Sequence, residues 1–352
     1  MSFQILTINP GSTSTKIAIF EDEKEIFSKT LRHTAEELSP YATVASQFQF
    51  RKNIILSELQ QAGWDIHGFH AIVGRGGLVK PIESGIYEVN DALAHDLEYP
   101  VMGEHASNLG GLIARDIVRE MHNGTKAYIA DPVVVDELDP IARLSGHPAL
   151  SRVSIFHALN QKVNAREVGK KYEEMNLIVA HMGGGVSVGA HCCGRVVDVN
   201  NALDGDGPFS PERSGGLPTG ALVELCFSGK SKAEVKKMLK GNGGVVAYLG
   251  TNDMRLVEEK APVDAEYGMI QDAMCYQIGK EIGAMAAVLK GKVDAILLTG
   301  GIAYGKPITD YITRMVGFIA PVKVYPGEDE MRALAMNGLM VLRGEMQAKT
   351  YA

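Results

Sequence analysis

A glycine- and hydroxyl-rich turn occurs twice in the sequence, each time between two apolar runs with the composition of strands. The first copy is Asn9-Pro-Gly-Ser-Thr-Ser-Thr-Lys16, and the second is His181-Met-Gly-Gly-Gly-Val-Ser-Val-Gly189. Glycines let the backbone turn with its N–H groups directed into one concavity, and small hydroxyl side chains let an anion approach them. The sequence therefore predicts two facing phosphate cradles, one in each half of the chain.

Length and charge limit what the chain can be and what it can bind. Its 352 residues fit two domains of ordinary size, and 45% hydrophobic with 22% charged residues are typical of a globular protein with a sizeable core. A net charge of −7 argues against a nucleic-acid partner, whose phosphates need a basic surface. A phosphate ligand is thus expected to be held by local donors and not by overall charge.

The sequence has no apparent membrane or targeting segment. No apolar run approaches the roughly 18–20 residues that span a bilayer, and the first residues lack the order of a signal peptide. The four cysteines, at 192, 193, 226 and 275, have neither zinc-site nor redox-motif spacing. We therefore expect a cytoplasmic protein with buried thiols and no membrane partner.

The apolar periodicity predicts the same order of elements in both halves. The first half has predicted strands at 3–9, 14–20 and 25–31, a helix at 41–62, a strand at 69–74, a helix at 105–121 and a strand at 126–130. The second half has predicted strands at 176–182, 185–191 and 194–200, then helices, and a strand at 293–298.

Two helices complete this pattern. One is predicted at 264–290, capped by Asp264, with a core-facing apolar stripe that includes Ile270 and Met274; the other is predicted at 330–346. A strand meander followed by a helix and parallel strands, present twice, predicts an α/β protein with a duplicated ribonuclease-H-like fold of the actin-like ATPase type. We expect two domains, 1–150 with 329–352 and 151–328, and an interdomain nucleotide cleft.

The first turn resembles the N-terminal signature of the acetate and butyrate kinase family. Further matching motifs follow in family order over nearly the whole length: Phe156-His157, His181-Met-Gly-Gly-Gly185, Glu212-Arg-Ser-Gly215, Asp253-Met-Arg255, Thr299-Gly-Gly301 and Glu328-Asp-Glu330. The chain is shorter than typical acetate kinases, and Gly74-Arg-Gly-Gly77 and the triple-glycine turn resemble the butyrate kinase branch.

The resemblance implies roles for cationic residues. Arg213 and His157 would stabilise the phosphoryl group in flight, and Asn9 would contact phosphate or its metal. Arg75 would bind the substrate carboxylate bidentately, although acetate kinases have their arginine three residues earlier, where this chain has Ile72. The alternatives are a surface ion pair for Arg213 and a core or helix-capping role for His157.

Metal and nucleotide contacts are implied in the same way. Asn9, Asp131 and one acid of the run 328–330, taken as Glu330, would organise Mg²⁺ with hard oxygen ligands. An acidic run at a helix start also stabilises the helix dipole. The implied ATP- or ADP-binding residues are Ser12, Ser14 and Lys16 of the first turn, His181, Gly183, Gly184 and Gly185 of the second, and Asp253, Arg255, Gly300 and Gly301. The alternative for the pair Asp253 and Arg255 is a helix cap and surface charge.

The implied activity is reversible phosphoryl transfer between ATP and butyrate, giving butyryl phosphate and ADP. Partners would be a short-chain fatty acid or its acyl phosphate and a second copy of the chain, as a homodimer or higher homo-oligomer. Alternatives are a kinase for acetate, propionate or isobutyrate, or a non-catalytic actin-like ATPase switch. A switch does not need the cationic set Arg75, His157 and Arg213, and a sugar kinase would need a base for an alcohol.

Overall fold

The computed structural model of the chain describes residues 2–99, 102–169, 171–203 and 205–352. These residues form two compact units: the residues up to Val135 together with Asp329–Ala352, and Asp136–Glu328. The strands are β1 (Gln4–Pro10), β2 (Ser14–Glu21), β3 (Lys24–Arg32), β4 (Ala71–Arg75), β5 (Ile86–Glu88), β6 (Lys126–Ala130), β7 (Asn176–Met182), β8 (Val186–Cys192), β9 (Arg195–Val199), β10 (Ala295–Gly300) and β11 (Val322–Pro326).

The two sheets have the same order of strands. In the first unit the order is β3-β2-β1-β4-β6-β5, and in the second it is β9-β8-β7-β10-β11. In each unit the first three strands pair with one another in antiparallel fashion. The strands β4 and β10 pair parallel with β1 and β7, and β6 and β11 in turn pair parallel with β4 and β10. This repeat confirms the predicted duplication, to which the first unit adds the antiparallel edge strand β5.

The α-helices are α1 (Ala35–Leu38), α2 (Phe48–Gln61), α3 (Asp91–Glu98), α4 (Asn108–Met121), α5 (Ala158–Arg166), α6 (Thr219–Cys226), α7 (Lys232–Leu239), α8 (Val245–Leu249), α9 (Met254–Lys260), α10 (Ala265–Val288), α11 (Lys306–Val316) and α12 (Glu330–Leu342). Short 3₁₀ turns lie at Ala45–Gln47, Ile66–Gly68, Pro140–Arg143, Tyr172–Glu174 and Gly301–Tyr304. None of the described helices has the length and apolar character needed to cross a bilayer.

Helices cover both faces of each sheet. In the first unit, Gly110 of α4 lies against Gly74 of β4, and Gly338 of α12 lies against the neighbouring residue Val73. Consecutive strand residues point to opposite faces, so α4 and α12 lie on opposite sides of the sheet. In the second unit, α10 packs on the face of β7 that carries Ile178 and Ala180. Leu177, on the opposite face of β7, belongs to a separate apolar cluster beside α5.

The long helix of the second unit agrees with its sequence pattern. The Asp264 side chain accepts hydrogen bonds from the backbone amides of Glu266 and Tyr267, as expected of an N-cap. The apolar stripe from Ile270 to Ile282 is buried in the core. The last helix ends at Leu342, earlier than the predicted residue 346, and Gly344 follows with φ of 73°.

The first domain boundary differs from the predicted position after residue 150. Residues 136–150 belong to the second unit because their side chains and backbone are bonded there. The Glu137 carboxylate pairs with Lys162 at 2.6 Å, and the Asp139 amide donates to the Val197 carbonyl at 2.9 Å. The return of the chain to the first unit lies between Glu328 and Asp329.

The cysteines also differ in part from expectation. Cys275 is buried and Cys192 is partly buried, but Cys193 and Cys226 are exposed. Cys193 follows the end of β8 and has φ of 47°, so it belongs to a turn and not to the strand. The alternation of a strand therefore does not apply to it.

Candidate active site

The buried guanidinium of Arg51 donates hydrogen bonds to the backbone of the first glycine turn, residues 9–16. Arg51 is 1% exposed and projects from α2. Its Nη1 donates to the carbonyls of Gly11 at 2.8 Å and Ser14 at 2.9 Å, and its Nη2 donates to the Ser12 carbonyl at 3.0 Å. The Gly11 amide closes the turn onto the Ser14 carbonyl at 2.8 Å. One cation thus fixes three carbonyls of the turn.

The predicted ligands of the first turn occupy different surroundings. Ser12 is exposed at the tip, whereas Ser14 and Lys16 are half-buried at the start of β2. Lys16 lies opposite Asn9 in the β1–β2 register. The tip of the turn is therefore open to a ligand, while its base belongs to the sheet.

Asn9, Arg75 and Glu330 meet at the ends of their elements in the first unit. Asn9 and Arg75 lie at the carboxyl ends of the parallel strands β1 and β4, and Glu330 begins α12. The Glu330 Oε2 atom accepts from Asn9 Nδ2 and from Arg75 Nη1, both at 2.5 Å. Arg75 Nη1 lies 3.4 Å from Asn9 Oδ1. Three of the predicted site residues thus form one cluster.

Asp131 lies next to this cluster in the strand register. It directly follows β6, in which Ala130 lies opposite Arg75. It is 2% exposed, has φ of 36°, and its Oδ1 accepts from the Ser84 hydroxyl at 2.6 Å and the Gly85 amide at 2.8 Å. One carboxylate oxygen of Asp131 therefore organises the turn before β5.

The second glycine turn, residues 181–189, packs against polar side chains of its own unit. A Cβ on Gly183 would lie 2.5 Å from Glu328 Oε1, and Gly185 is in close contact with the Arg213 guanidinium. The Ser210 hydroxyl donates to the Gly184 carbonyl at 2.7 Å. Any larger residue at 183 or 185 would displace these groups, which explains the glycines.

Two histidines lie together beside this turn. The rings of His157 and His181 are 4.4 Å apart between centroids and inclined by 31°. His181 is fully buried, with Nδ1 3.0 Å from the Thr299 hydroxyl and Nε2 3.1 Å from Glu328 Oε1. His157 immediately precedes α5, but its side chain makes no capping hydrogen bond there. The structure therefore gives no support to a helix-capping role for His157.

Arg213 is half-buried and anchored to the backbone of its own unit. Its Nη1 donates to the Ala202 carbonyl, and its backbone pairs with Lys240 in an isolated bridge. The guanidinium lies against Gly185. Arg213 and the second glycine turn are therefore parts of one local structure.

A cavity of about 620 Å³ opens beside the second glycine turn. Its size falls in the range of ligand sites, about 300–1,000 Å³. The wall joins residues that the sequence places far apart, among them Gly183, Gly184, Asp253, Arg255, Gly301 and Glu328. Asp253 caps α9 by accepting from the Arg255 amide at 3.0 Å, and the Arg255 side chain is 91% exposed. The cap and a place on the cavity wall are therefore compatible.

The three acids of the run 328–330 have three different roles. Glu328 bonds to His181, Asp329 caps α12 by accepting from the Arg332 amide at 3.0 Å, and Glu330 binds Asn9 and Arg75. Among the described residues, no group of three or more His, Cys, Asp or Glu side chains is placed to hold a metal ion.

Gly300 and Gly301 follow β10 and differ in the space around them. Gly300 has φ of 91°, and a Cβ there would collide with the backbone of Met182. Its amide and carbonyl also pair with Gly327, at 3.2 and 2.9 Å. A Cβ on Gly301 would meet no atom within 4 Å, and this residue lines the cavity. The need for glycine at 300 therefore arises within the chain, whereas at 301 it would arise only from a ligand.

This contrast gives a paired prediction. Gly300→Ala should lower the free energy of unfolding by about 1–3 kcal/mol, because an alanine is strained at this positive φ and its Cβ collides with the Met182 backbone. Gly301→Ala should leave the thermal midpoint unchanged but raise the KM for ATP, because its Cβ enters the cavity. Thermal unfolding and initial-rate kinetics on both variants test this. An unaltered KM for ATP in Gly301→Ala would contradict the prediction that Gly301 contacts a nucleotide.

The residues that support both turns were not predicted from the sequence. Arg51 lies in a helix whose sequence shows no sign of burial, and its partners in the turn are 36–40 positions away. Ser187, in the second turn, bonds to His157 across 30 positions. Only the hydroxyl content of the turn could have pointed to Ser187, and nothing in the sequence pointed to Arg51.

Comparison with known proteins gives a consistent family. A profile described as the Acetokinase family matches residues 154–312. Butyrate kinase 1 of Clostridium acetobutylicum is 58% identical over 355 residues, covering 99% of both chains. A probable butyrate kinase of Clostridium botulinum is 57% identical over the full length of both chains.

Solved structures agree in fold. The acetate kinase of Porphyromonas gingivalis superposes with a TM-score of 0.75 at 20% identity, covering 97% of this chain and all of that one. At this identity the likeness concerns the fold alone, which is the actin-like ATPase fold expected from the repeated element order.

Proposed function

Because the chain belongs to the acetokinase family, together with the butyrate kinases, we propose that it is a carboxylate kinase that transfers the γ-phosphoryl group between ATP and butyrate. The products are butyryl phosphate and ADP, and the reaction is reversible. The observation that carries this proposal is the cavity of the second unit, whose wall contains Gly183, Gly184 and Glu328. His181 bonds to Glu328, and Arg213 lies against Gly185 of the same glycine turn. A triphosphate needs such a combination of close backbone approach with guanidinium and imidazole side chains.

The acid requires a cation and no general base. A short fatty acid is already ionised at neutral pH, so its oxygen can attack the γ-phosphorus directly while ADP departs. We assign the acid to Arg75, whose guanidinium already binds one carboxylate, that of Glu330. The planar fork of an arginine matches two carboxylate oxygens. Glu330 and Asn9 hold this guanidinium in place.

The phosphates are assigned to residues of both glycine turns. In the second unit these are His181, Gly183, Gly184 and Gly185, with Arg213 and His157 stabilising charge on the transferring group. Asp253, Arg255, Gly300 and Gly301 are assigned to the nucleotide side. In the first unit the exposed Ser12, with Ser14 and Lys16, is assigned to phosphate contact.

The oxygen donors Asn9 and Glu330 fit Mg²⁺ that is bound mainly through phosphates. Mg²⁺ usually keeps several waters and uses one or two carboxylates together with substrate phosphates, so a larger acidic cluster is not needed. When bound, it would neutralise phosphate charge. Asp131 is assigned to the same shell through its place beside Arg75 in the strand register. Asn9 and Glu330 would then exchange part of their contact with each other for the metal.

Location and assembly complete the proposal. We assign the protein to the cytoplasm, with neither nucleic acid nor membrane as a partner. We also assign it to a homodimer or higher homo-oligomer. The helix α6 supports this assembly, because none of its residues is buried and it carries apolar side chains such as Val223, followed by the 86% exposed Phe227.

The test is ATP-dependent formation of acyl phosphate from straight-chain acids of two to six carbons, with isobutyrate included and hydroxylamine as the trap. We expect a carboxylate-dependent hydroxamate signal that is greatest near four carbons. The difference between neighbouring acids should be modest, because one methylene in an apolar pocket is worth only about 1–3 kcal/mol.

The outcomes separate the levels of the proposal. Absence of acyl phosphate with every acid, from a folded protein with Mg²⁺ and ATP, would reject the kinase function. A preference for two carbons would reject only butyrate as the substrate. ATP hydrolysis that does not depend on any acid would favour an ATPase switch.

A further inference from the structure

A chain of buried hydrogen bonds connects Tyr172 to His157 inside the second unit. The Tyr172 hydroxyl lies 2.7 Å from His191 Nδ1, and His191 Nε2 lies 2.8 Å from Gln161 Oε1. Gln161 Nε2 lies 2.8 Å from the Ser187 hydroxyl, which lies 2.9 Å from His157 Nδ1. Gln161, Ser187 and His191 are all 0% exposed, so water does not compete for these contacts.

The orientation of the Gln161 amide follows from its contact with the backbone. The group 3.1 Å from the Ser187 carbonyl oxygen must be a donor, because a carbonyl can only accept. The NH₂ group of Gln161 therefore faces Ser187, and its oxygen faces His191. Since that oxygen only accepts, the proton of His191 is on Nε2.

The His191 ring is neutral, which fixes the other end of the chain. Burial, followed by the positive charges of Lys162 and Arg166, lowers the pKa of His191 well below its usual value. A neutral ring with its proton on Nε2 has an acceptor at Nδ1, so the Tyr172 hydroxyl donates to it. Every donor in this part of the chain thus points toward Ser187.

Two hydrogen-bond donors point at the Ser187 hydroxyl oxygen. It accepts from Gln161 Nε2, and the backbone amide of His157 points at it from 3.5 Å. These two donors occupy both lone pairs of the oxygen, so its own proton is left for His157 Nδ1.

We propose that Ser187 is a positioning residue that donates to Nδ1 of His157 and holds this imidazole in the tautomer with its proton on Nε2. Gln161, oriented by His191 and Tyr172, fixes the direction in which Ser187 donates. The consequence for the reaction rests on the proposed function: a fixed Nε2–H is a donor for the charge that develops on phosphoryl oxygens. The opposite tautomer would present a lone pair to the same charge.

Gly189 leaves room for this chain of hydrogen bonds. A Cβ on Gly189 would lie 2.7 Å from Gln161 Oε1 and 3.3 Å from His191 Nε2. Gly189 lies in β8 between the strand positions of Ser187 and His191. A glycine therefore occupies the position of β8 against which the Gln161 side chain of α5 packs.

The test combines nitrogen NMR with kinetics on the full-length protein. Histidine labelled with ¹⁵N on both ring nitrogens gives distinct two-bond correlation patterns for the two tautomers, and His157→Gln assigns the signal. We expect the Nε2–H pattern for His157 in the wild type and a mixture of tautomers in Ser187→Ala. In Ser187→Ala, kcat for acyl phosphate formation should fall about tenfold while the KM for ATP stays within about twofold. Ser187→Thr, which keeps the hydroxyl, should retain the Nε2–H pattern.

A matched control exists in the first unit. The Ser107 hydroxyl lies 2.9 Å from His105 Nδ1, so Ser107→Ala removes the same kind of contact from a histidine to which no role in the reaction is assigned. It should leave kcat and the His157 pattern unchanged. A wild-type protein with the proton on Nδ1 of His157, or a Ser187→Ala spectrum identical to wild type, would overturn the inference. If no acid yields acyl phosphate, the proposed function fails, but the His157 spectra still decide the role of Ser187.

Discussion

Replacement of Arg213 by alanine is expected to lower kcat about 10²–10³-fold, with a much smaller change in the KM for ATP. The guanidinium lies against Gly185 in the second glycine turn and is anchored by the Ala202 carbonyl. Charge spreads over the equatorial oxygens of the phosphoryl group only as the transition state forms, so a cation placed there acts on kcat more than on ground-state binding. Initial rates over a matrix of ATP and butyrate concentrations measure both constants.

Two further variants separate charge from structure. Arg213→Lys keeps the charge but loses the planar fork, so its kcat should lie between those of the wild type and Arg213→Ala. Arg195→Ala is the matched control, because Arg195 belongs to the same unit but is more than half exposed and bonds to the Glu137 carbonyl. It should leave kcat unchanged. A folded Arg213→Ala protein with wild-type kcat would place Arg213 outside the chemistry.

The strands could be predicted from the sequence wherever burial imposes a pattern. The strands β1, β2, β7 and β8 are largely buried, and their apolar residues mark them within one or two residues. The strand β11 was not predicted, because its side chains, such as Lys323 and Tyr325, are exposed or half-buried and do not alternate. Its position is set by pairing with β10, which is information that a local pattern does not contain.

The local backbone conformation, more than residue type, determines which groups neighbouring acidic side chains contact. The residues Glu328, Asp329 and Glu330 look alike in sequence, but they span the passage from an irregular segment through a helix cap to the first turn of α12. Each carboxylate therefore points to a different partner. Sequence motifs could identify this run as a ligand region, but assigning one oxygen to His181 and another to Arg75 required the backbone.

Buried cations are the hardest feature to predict. An arginine in a helix is normally assigned to the surface, because burying its charge is costly unless it is bonded. Arg51 is buried because the carbonyls of the first turn converge on it from a different part of the chain. Neither local sequence indicates this contact: the turn sequence predicts a glycine bend, and the helix sequence predicts only a helix.

Arg51→Met is therefore expected to destabilise the first unit strongly. The substitution keeps an apolar stem of similar length but removes the Arg51 hydrogen bonds to the carbonyls of Gly11, Ser12 and Ser14, of which the Ser14 carbonyl keeps the Gly11 amide as a donor. A hydrogen bond from a charged group contributes about 1.5–3 kcal/mol, and these three bonds are only partly buried, so the expected loss is on the order of 3 kcal/mol. Trp64, the single tryptophan, packs against the core of this unit and reports its unfolding in urea by fluorescence.

The same substitution should act on ATP, because the carbonyls that Arg51 holds set the shape of the phosphate turn. We expect a raised KM for ATP in Arg51→Met even where the variant is folded, and only partial recovery in Arg51→Lys, since one ammonium cannot reach all three carbonyls in a fixed geometry. Arg119→Met is the matched control, because its side chain is 61% exposed and its ion pair with Asp91 spans 3.5 Å. Surface pairs of this kind contribute about 0–1 kcal/mol, so its urea midpoint should stay near wild type. If Arg51→Met unfolds at the wild-type urea concentration and binds ATP normally, then the turn holds its shape without the buried cation.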